Sequence, residues 1–289
     1  MKEQDCLRRF LFEQLGVRGE WVRLKKSWKE TKQHQQLSVE VEEQLGQTLA
    51  AAVLLSATIK FEGSLIIQAQ GEGALKTVVA QSTHDRKIRG LARGFVSSST
   101  KILSEMMGEG RLVITVEPEK GEPYQGIVPL EGTDLAEVIT NYFLQSEQLE
   151  TRVWLFANET YAAGLFLQEL PTQDNYELDW ERISALASTV TKDEMLLLGC
   201  EEMLYRLFNE EKVRLFEAES VEFKCACSQL KIEDTLVSLG REELESILQN
   251  RDTIEVDCEF CGKQYQFDKV DVENLLVGCS SQNDSGTIH

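Results

Sequence analysis

Four cysteines in the C-terminal third constrain this chain more than any other feature: Cys225-Ala226-Cys227, then Cys258-Glu259-Phe260-Cys261. One pair is spaced C-x-C, the other C-x-x-C, and residues 228–257 separate them. Thiols paired at short spacing and joined across a loop are the sequence form of a tetrahedral zinc site with four cysteine ligands. Gly262 follows the last cysteine, where a metal knuckle needs positive φ so that backbone amides can point at sulfur. Buried unliganded cysteines and structural disulfides are the competing explanations, and two pairs in one acidic segment weigh against both. The expected ligands are Cys225, Cys227, Cys258 and Cys261, holding one zinc ion per chain in the reduced state.

Charge narrows the function classes. The chain has 289 residues and a formal net charge of −19. Residues 171–289 hold 26 acidic and 11 basic side chains, against 23 and 19 in residues 1–170. A phosphate-binding surface needs the opposite sign, so the cysteine-bearing half is a poor nucleic-acid reader. So much acid reads as a solvated surface, or as self-repulsion that leaves this half marginally folded. Met1 to Cys6 carries charges where the apolar stretch of a secretory signal would lie, and the longest apolar run, Leu49 to Leu55, is too short to span a bilayer. A cytoplasmic location without membrane attachment is therefore expected. There thiols stay reduced, and seven cysteines cannot form a fully paired framework.

The expected fold class is α+β. Residues 1–172 read as a mixed, largely antiparallel sheet domain with packed helices, 173–220 as an amphipathic helical linker, 221–277 as the zinc unit and 278–289 as a disordered tail. Strand patterns run through Leu65–Gln70, Leu75–Ala80, Leu112–Val116, Gln125–Leu130, Val153–Ala157 and Gly164–Leu170, separated by short turn signals that favour hairpins. Ser38 should cap a helix with Val41, Leu45, Leu49, Ala52 and Leu55 on one face, and Asp134 should open another. Gly71-x-Gly73 lacks a third glycine and a following helix, so it reads as a hairpin turn rather than a nucleotide loop. Trp180, Ile183, Leu186, Ala187 and Val190 recur at helical spacing, and Thr191-Lys192-Asp193-Glu194 resembles a capping box. These helices could be ordinary core elements or a linker that docks and can leave. In the zinc unit one helix is expected from Leu236 to Leu248 and a strand at Tyr265-Gln266-Phe267. A unit this small usually needs a staple.

Zinc has no redox activity, but it holds its ligands as thiolates, the form that oxidants attack. A closed four-thiolate site is ordinarily inert and structural. The C-x-C pair shifts this reading, because two sulfurs at i and i+2 can close only a small strained ring that forms and reduces readily. Each pair could thus close on itself and release the metal. Cys6, Cys200 and Cys279 have no pairing logic and read as bystanders. No catalytic constellation is visible: His34 and His84 sit in polar stretches and His289 ends the tail, so no enzyme activity is expected. A thioredoxin-type C-x-x-C would open a helix, whereas Cys261-Gly262 is followed by a strand pattern.

At these residues the chain resembles the redox-regulated heat-shock chaperones, the 33 kDa chaperonin family. The resemblance runs nearly end to end, through Arg9–Glu13, Val17-Arg18-Gly19-Glu20, Gln68–Gly73, Tyr124-Gln125-Gly126, Ser146-Glu147-Gln148-Leu149 and above all Val221–Ser228; the stretch 97–104 matches less well. It implies a holdase that binds unfolding client proteins without ATP and is idle when reduced and zinc-bound. It implies oxidation to the disulfides Cys225–Cys227 and Cys258–Cys261, zinc loss, unfolding of the zinc domain and linker, and a homodimer in the active form. The alternatives are a zinc-knuckle adaptor or nucleic-acid-associated module with a permanent structural zinc, and a thiol oxidoreductase.

Overall fold

A computed structural model describes residues 3–97, 100, 102–170 and 177–280. Of the expected tail at 278–289, residues 278–280 end a helix instead, and residues 281–289, the first residues of the expected linker (to 176) and part of the stretch 97–104 lie outside the described residues. The chain divides into two compact units between Lys224 and Cys225.

The first unit begins with β1 (Cys6–Phe12), β2 (Val17–Leu24), α1 (Lys26–Lys32) and α2 (Val39–Thr58), then β3 (Gly63–Gly71), β4 (Leu75–Thr83) and β5 (Lys87–Gly94). There follow α3 (Leu103–Met107), β6 (Gly110–Pro118), β7 (Tyr124–Pro129), α4 (Leu135–Tyr142) with a π-turn over Phe143–Glu147, β8 (Thr151–Ala157) and β9 (Ala162–Glu169). Helices α5 (Glu177–Ala187), α6 (Lys192–Leu197) and α7 (Cys200–Phe208) precede the short strands β10 (Val213–Leu215), β11 (Glu219–Ser220) and β12 (Glu222–Phe223). One sheet runs β10-β1-β2-β9-β8, with β11 also on β1; the other runs β12-β5-β4-β3-β6-β7. All pairings are antiparallel except the two-residue match of β12 to β5. The six strand patterns read from the sequence fall in β3, β4, β6, β7, β8 and β9.

Helix α2 lies between the two sheets, which explains a composition richer in apolar residues than a single stripe needs. Beyond the expected face, Ala50, Ala51, Val53 and Leu54 are also fully buried, so the one-sided reading understates its burial. Thr48 Oγ1 donates to the Gln44 carbonyl and Ser56 Oγ to the Val53 carbonyl of the same helix, while Ser56 Oγ also accepts from Arg86. Ser38 has the extended backbone of an N-cap but makes no side-chain cap bond, whereas Asp134 accepts from the Glu137 amide as expected. The Gly71–Gly73 stretch does join β3 to β4, and the Gly73 amide donates to the Met107 carbonyl (2.6 Å).

The other face of the first sheet carries α5, α6 and α7. Phe10, Phe12, Trp21, Leu165 and Leu167 form one apolar cluster with Trp180, Ile183, Met195, Met203, Leu204 and Phe208. Thr191 and Glu194 form the expected capping box. The apolar stripes at 180–208 thus find a partner on this sheet.

The second unit, by itself, consists of α8 (Gln229–Leu239), α9 (Arg241–Asn250), the hairpin β13 (Thr253–Asp257) and β14 (Gln264–Asp268), and α10 (Lys269–Ser280). The single helix expected over Leu236–Leu248 is two, because Gly240 takes φ +86, which ends α8 and starts α9. Leu236, Leu244 and Leu248 still reach one core, shared with Ile254, Phe267, Val272 and Leu276. That core is small for a unit with three helices and a hairpin, and the cysteines border it directly.

Candidate metal centre

Local chain geometry aims the four sulfurs at one point. Cys225 and Cys227 lie on the extended stretch just before α8, whose first turn is capped by Ser228 accepting from the Lys231 amide (3.3 Å). Cys258 directly follows β13 and Cys261 sits in the turn before β14. That turn is closed by Gly262 N–H to the Cys258 carbonyl (2.7 Å) and Cys258 N–H to the Lys263 carbonyl (2.9 Å). Gly262 itself has φ +68, as the knuckle requires.

All four Sγ atoms lie within 4.8 Å of one another. Cys225 Sγ is 3.7 Å from Cys258 Sγ, and Cys227 Sγ is 3.5 Å from Cys261 Sγ. Zinc bonds thiolate sulfur at about 2.3 Å, so the edges of a tetrahedral site are about 3.8 Å. Those two contacts match such an edge and are far too long for disulfide bonds, and none of these cysteines is in one. A closed set of four thiolates suits zinc or another soft ion. Cys258 is buried and the other three are half-buried, so the centre is shielded but within reach of small oxidants.

Sequence reasoning missed Tyr265. Its hydroxyl donates to Cys227 Sγ (3.2 Å), making it an outer partner of a ligand. Its spacing, four residues after Cys261 on an alternating strand, was the available signal. Burial pushes the Cys227 thiol up, but hydrogen bonds from Tyr265 and the three neighbouring cysteines outweigh it and bring it down to about 7. Burial dominates at Cys261, pushed up to about 12, and raises Cys258 as well. Tyr265, whose proton Cys227 holds, rises to about 12. The Tyr265 hydroxyl and the neighbouring thiols thus favour the charged form of Cys227. Replacing Tyr265 with Phe is expected to weaken metal binding about ten-fold, the low end for outer-shell partners. Competition with a chromophoric chelator measures this, and unchanged affinity would show that the hydroxyl is a bystander.

The remaining candidates lie elsewhere. Cys6 and Cys200 are buried in the first unit; burial pushes Cys6 to about 11 and Cys200 further up, so both are poor nucleophiles. The Cys279 side chain lies outside the described residues. His34 and His84 are exposed, with His84 Nδ1 accepting from the Gly63 amide (3.1 Å), and neither belongs to the cysteine cluster. Among the described residues no helix is long and apolar enough to cross a membrane.

The family model described as Hsp33 protein matches residues 5–268. The chain belongs to the Hsp33 family. A 33 kDa chaperonin of Nitrosococcus oceani is 58% identical over 277 residues, covering 96% of each chain. One of Pseudomonas aeruginosa is 43% identical over 297 residues and covers both chains fully. The fold is likewise that of the 33 kDa chaperonin from Thermotoga maritima solved by crystallography, with a TM-score of 0.84 at 23% identity, covering 96% of this chain and 99% of that one. The Hsp33 match includes all four clustered cysteines and Tyr265.

Proposed function

We propose that this chain is a redox-regulated, ATP-independent holdase of the cytoplasm, idle while its four cysteines hold zinc and active once they are oxidised. The observation that carries the reading is the four-sulfur cluster, crowded within 4.8 Å in a way that fits zinc and leaves the sulfurs close enough to pair. Zinc keeps the thiolates charged and ready for attack; removing them in pairs empties the site in two steps. Every pairing is within reach of small movements, and the neighbour pairs Cys225–Cys227 and Cys258–Cys261 are the ones that sequence proximity keeps together as the unit loosens.

Loss of the metal then unfolds the cysteine-bearing unit, proposed to span 221–277, and loosens the linker proposed at 173–220. Helices α5, α6 and α7 cover Phe10, Phe12, Trp21, Leu165 and Leu167, so their release would expose either that sheet face or their own residues Trp180, Leu186 and Leu204. An apolar surface of this kind holds unfolded chains, and a second copy of the same chain can use it to dimerise. The acidic balance supports protein clients rather than nucleic acid.

The test measures zinc release, disulfide mapping and suppression of client aggregation on one sample, before and after peroxide. Reduced protein should keep one zinc and leave a heat-unfolding client unprotected; oxidised protein should lose it, show the two neighbour disulfides and protect without nucleotide. Equal protection by the reduced zinc form, or zinc that survives oxidation, would replace the switch with a permanent structural site.

A further inference from the structure

Three of the stretches that carry the family resemblance play no part in the metal centre: Val17–Glu20, Tyr124–Gly126 and Ser146–Leu149. In the first unit they meet. Arg18, Tyr124, Glu147 and Leu149 line one cavity of about 420 Å³, closed on its inner side by Leu55, Leu65, Ile114, Val116 and Phe143. Residues more than a hundred positions apart thus place a few polar groups around an apolar hollow whose size is that of small-molecule sites.

Arg18 is held in place by a built support. Its Nε and Nη2 both donate to Gln168 Oε1 (3.1 and 2.6 Å) across the β2–β9 ladder. The buried Gln168 in turn donates to Thr151 Oγ1 (3.0 Å), which donates to the Leu149 carbonyl (3.1 Å). The remaining nitrogen, Nη1, has only a long contact with the Thr58 carbonyl (3.5 Å). Among the described residues the guanidinium has no carboxylate partner. Glu20, two residues along β2, feels its charge without pairing with it. A fixed, half-buried guanidinium held by a neutral amide, with donors left over and apolar walls around it, is matched to a carboxylate. Tyr124 and Tyr142 add hydroxyls to the same lining.

We propose that this cavity binds a small monocarboxylate with an apolar body, the carboxylate on Arg18 and the body against Leu55, Ile114 and Phe143. The site is independent of the redox reading. Two sources share the chemistry, a free medium-chain acid and the C-terminal residue of a polypeptide.

Calorimetric titration of the reduced, metal-loaded full chain tests it with octanoate, octanol and acetylated leucyl-leucine bearing a free or amidated C-terminus. Octanoate should bind with saturation at one site, and octanol at least about ten-fold more weakly, because charge-assisted hydrogen bonds are lost. Tighter binding by the free-acid dipeptide than by octanoate assigns the site to chain ends; the reverse assigns it to free acids. Arg18→Gln should cost octanoate about ten- to a hundred-fold in affinity. Val116→Phe, which fills the hollow and leaves Arg18 alone, should abolish binding, and it decides the matter if the Arg18 variant does not fold. No saturable octanoate binding, equal binding of octanol, or unchanged affinity in the Val116 variant overturns the proposal.

Discussion

Stripping the metal from the reduced protein is expected to unfold residues 225–280 and loosen α5–α7, while the two sheets of the first unit stay folded. The second unit has one small apolar core, built from residues such as Leu236, Leu244, Ile254, Phe267 and Val272, and Cys258 belongs to it. Domains of this size seldom supply more than about 5 kcal/mol from burial alone. A structural zinc contributes about 10–16 kcal/mol of apparent binding free energy, most of it expressed as folding. Four thiols crowded within 4.8 Å without an ion also lose the centre that organises them. Native-state hydrogen exchange makes the outcome visible. After chelation, amides of β13 and β14 should lose protection while those of β3, β4 and β6 keep it. Cys258→Ser should behave in the same way without a chelator. Retained protection in β13 and β14 would mean that the apolar core suffices and the metal is an accessory.

The second large effect concerns Glu20 and pH. This side chain is 2% exposed in the middle of β2, and its Oε2 atom has no hydrogen-bond partner. Burial raises its carboxyl from the ordinary 4.5 to about 7, although Arg18, Arg9 and Arg86 pull it back. The folded state therefore holds its proton more tightly than the unfolded state. Stability falls as pH rises from about 4.5 to about 7, by about 3 kcal/mol at about 1.4 kcal/mol per unit of pKa. Glu20→Gln should remove this slope, making the first unit more stable than wild type by up to about 3 kcal/mol at pH 8 and nearly equal at pH 4.5. All four tryptophans (21, 28, 154 and 180) lie in the first unit, so urea melts followed by tryptophan fluorescence report on it alone. A pH-independent difference between the two proteins would show that Glu20 is ionised throughout.

The four clustered cysteines were legible because the information is local. C-x-C and C-x-x-C spacing, a glycine at the knuckle and the strand after it are read within a few residues. The six strands found in advance share alternating or β-branched runs bounded by turn residues. Strands β1, β2 and β5 escaped notice because charge interrupts them: Arg8 and Arg9 in β1, Glu20 and Arg23 in β2, Arg89 and Arg93 in β5. Glu20 and Arg23 are buried all the same. Arg23 reaches the Leu198 and Glu3 carbonyls and lies over the Trp21 ring, partners far from it in sequence or hidden by alternation. Local hydrophobicity cannot anticipate a charge whose partners come from elsewhere in the chain. The split of one expected helix at Gly240 was missed for a different reason: the leucine period continues across the break.

What the sequence alone determined is the make-up of the cysteine cluster: which four sulfurs, at what spacing, in how acidic a segment, and the family they resemble. Only the tertiary structure decided that the four sulfurs stand within 4.8 Å of one another, that Tyr265 reaches one of them, and that the helices at 177–208 cover a sheet face. It alone joined Arg18, Tyr124 and Glu147 at one cavity. The physical reason is the range of the forces involved. Metal ligation and turn chemistry depend on residues a few positions apart, whereas burial, cavities and shared hydrogen bonds depend on which distant strands the fold makes neighbours.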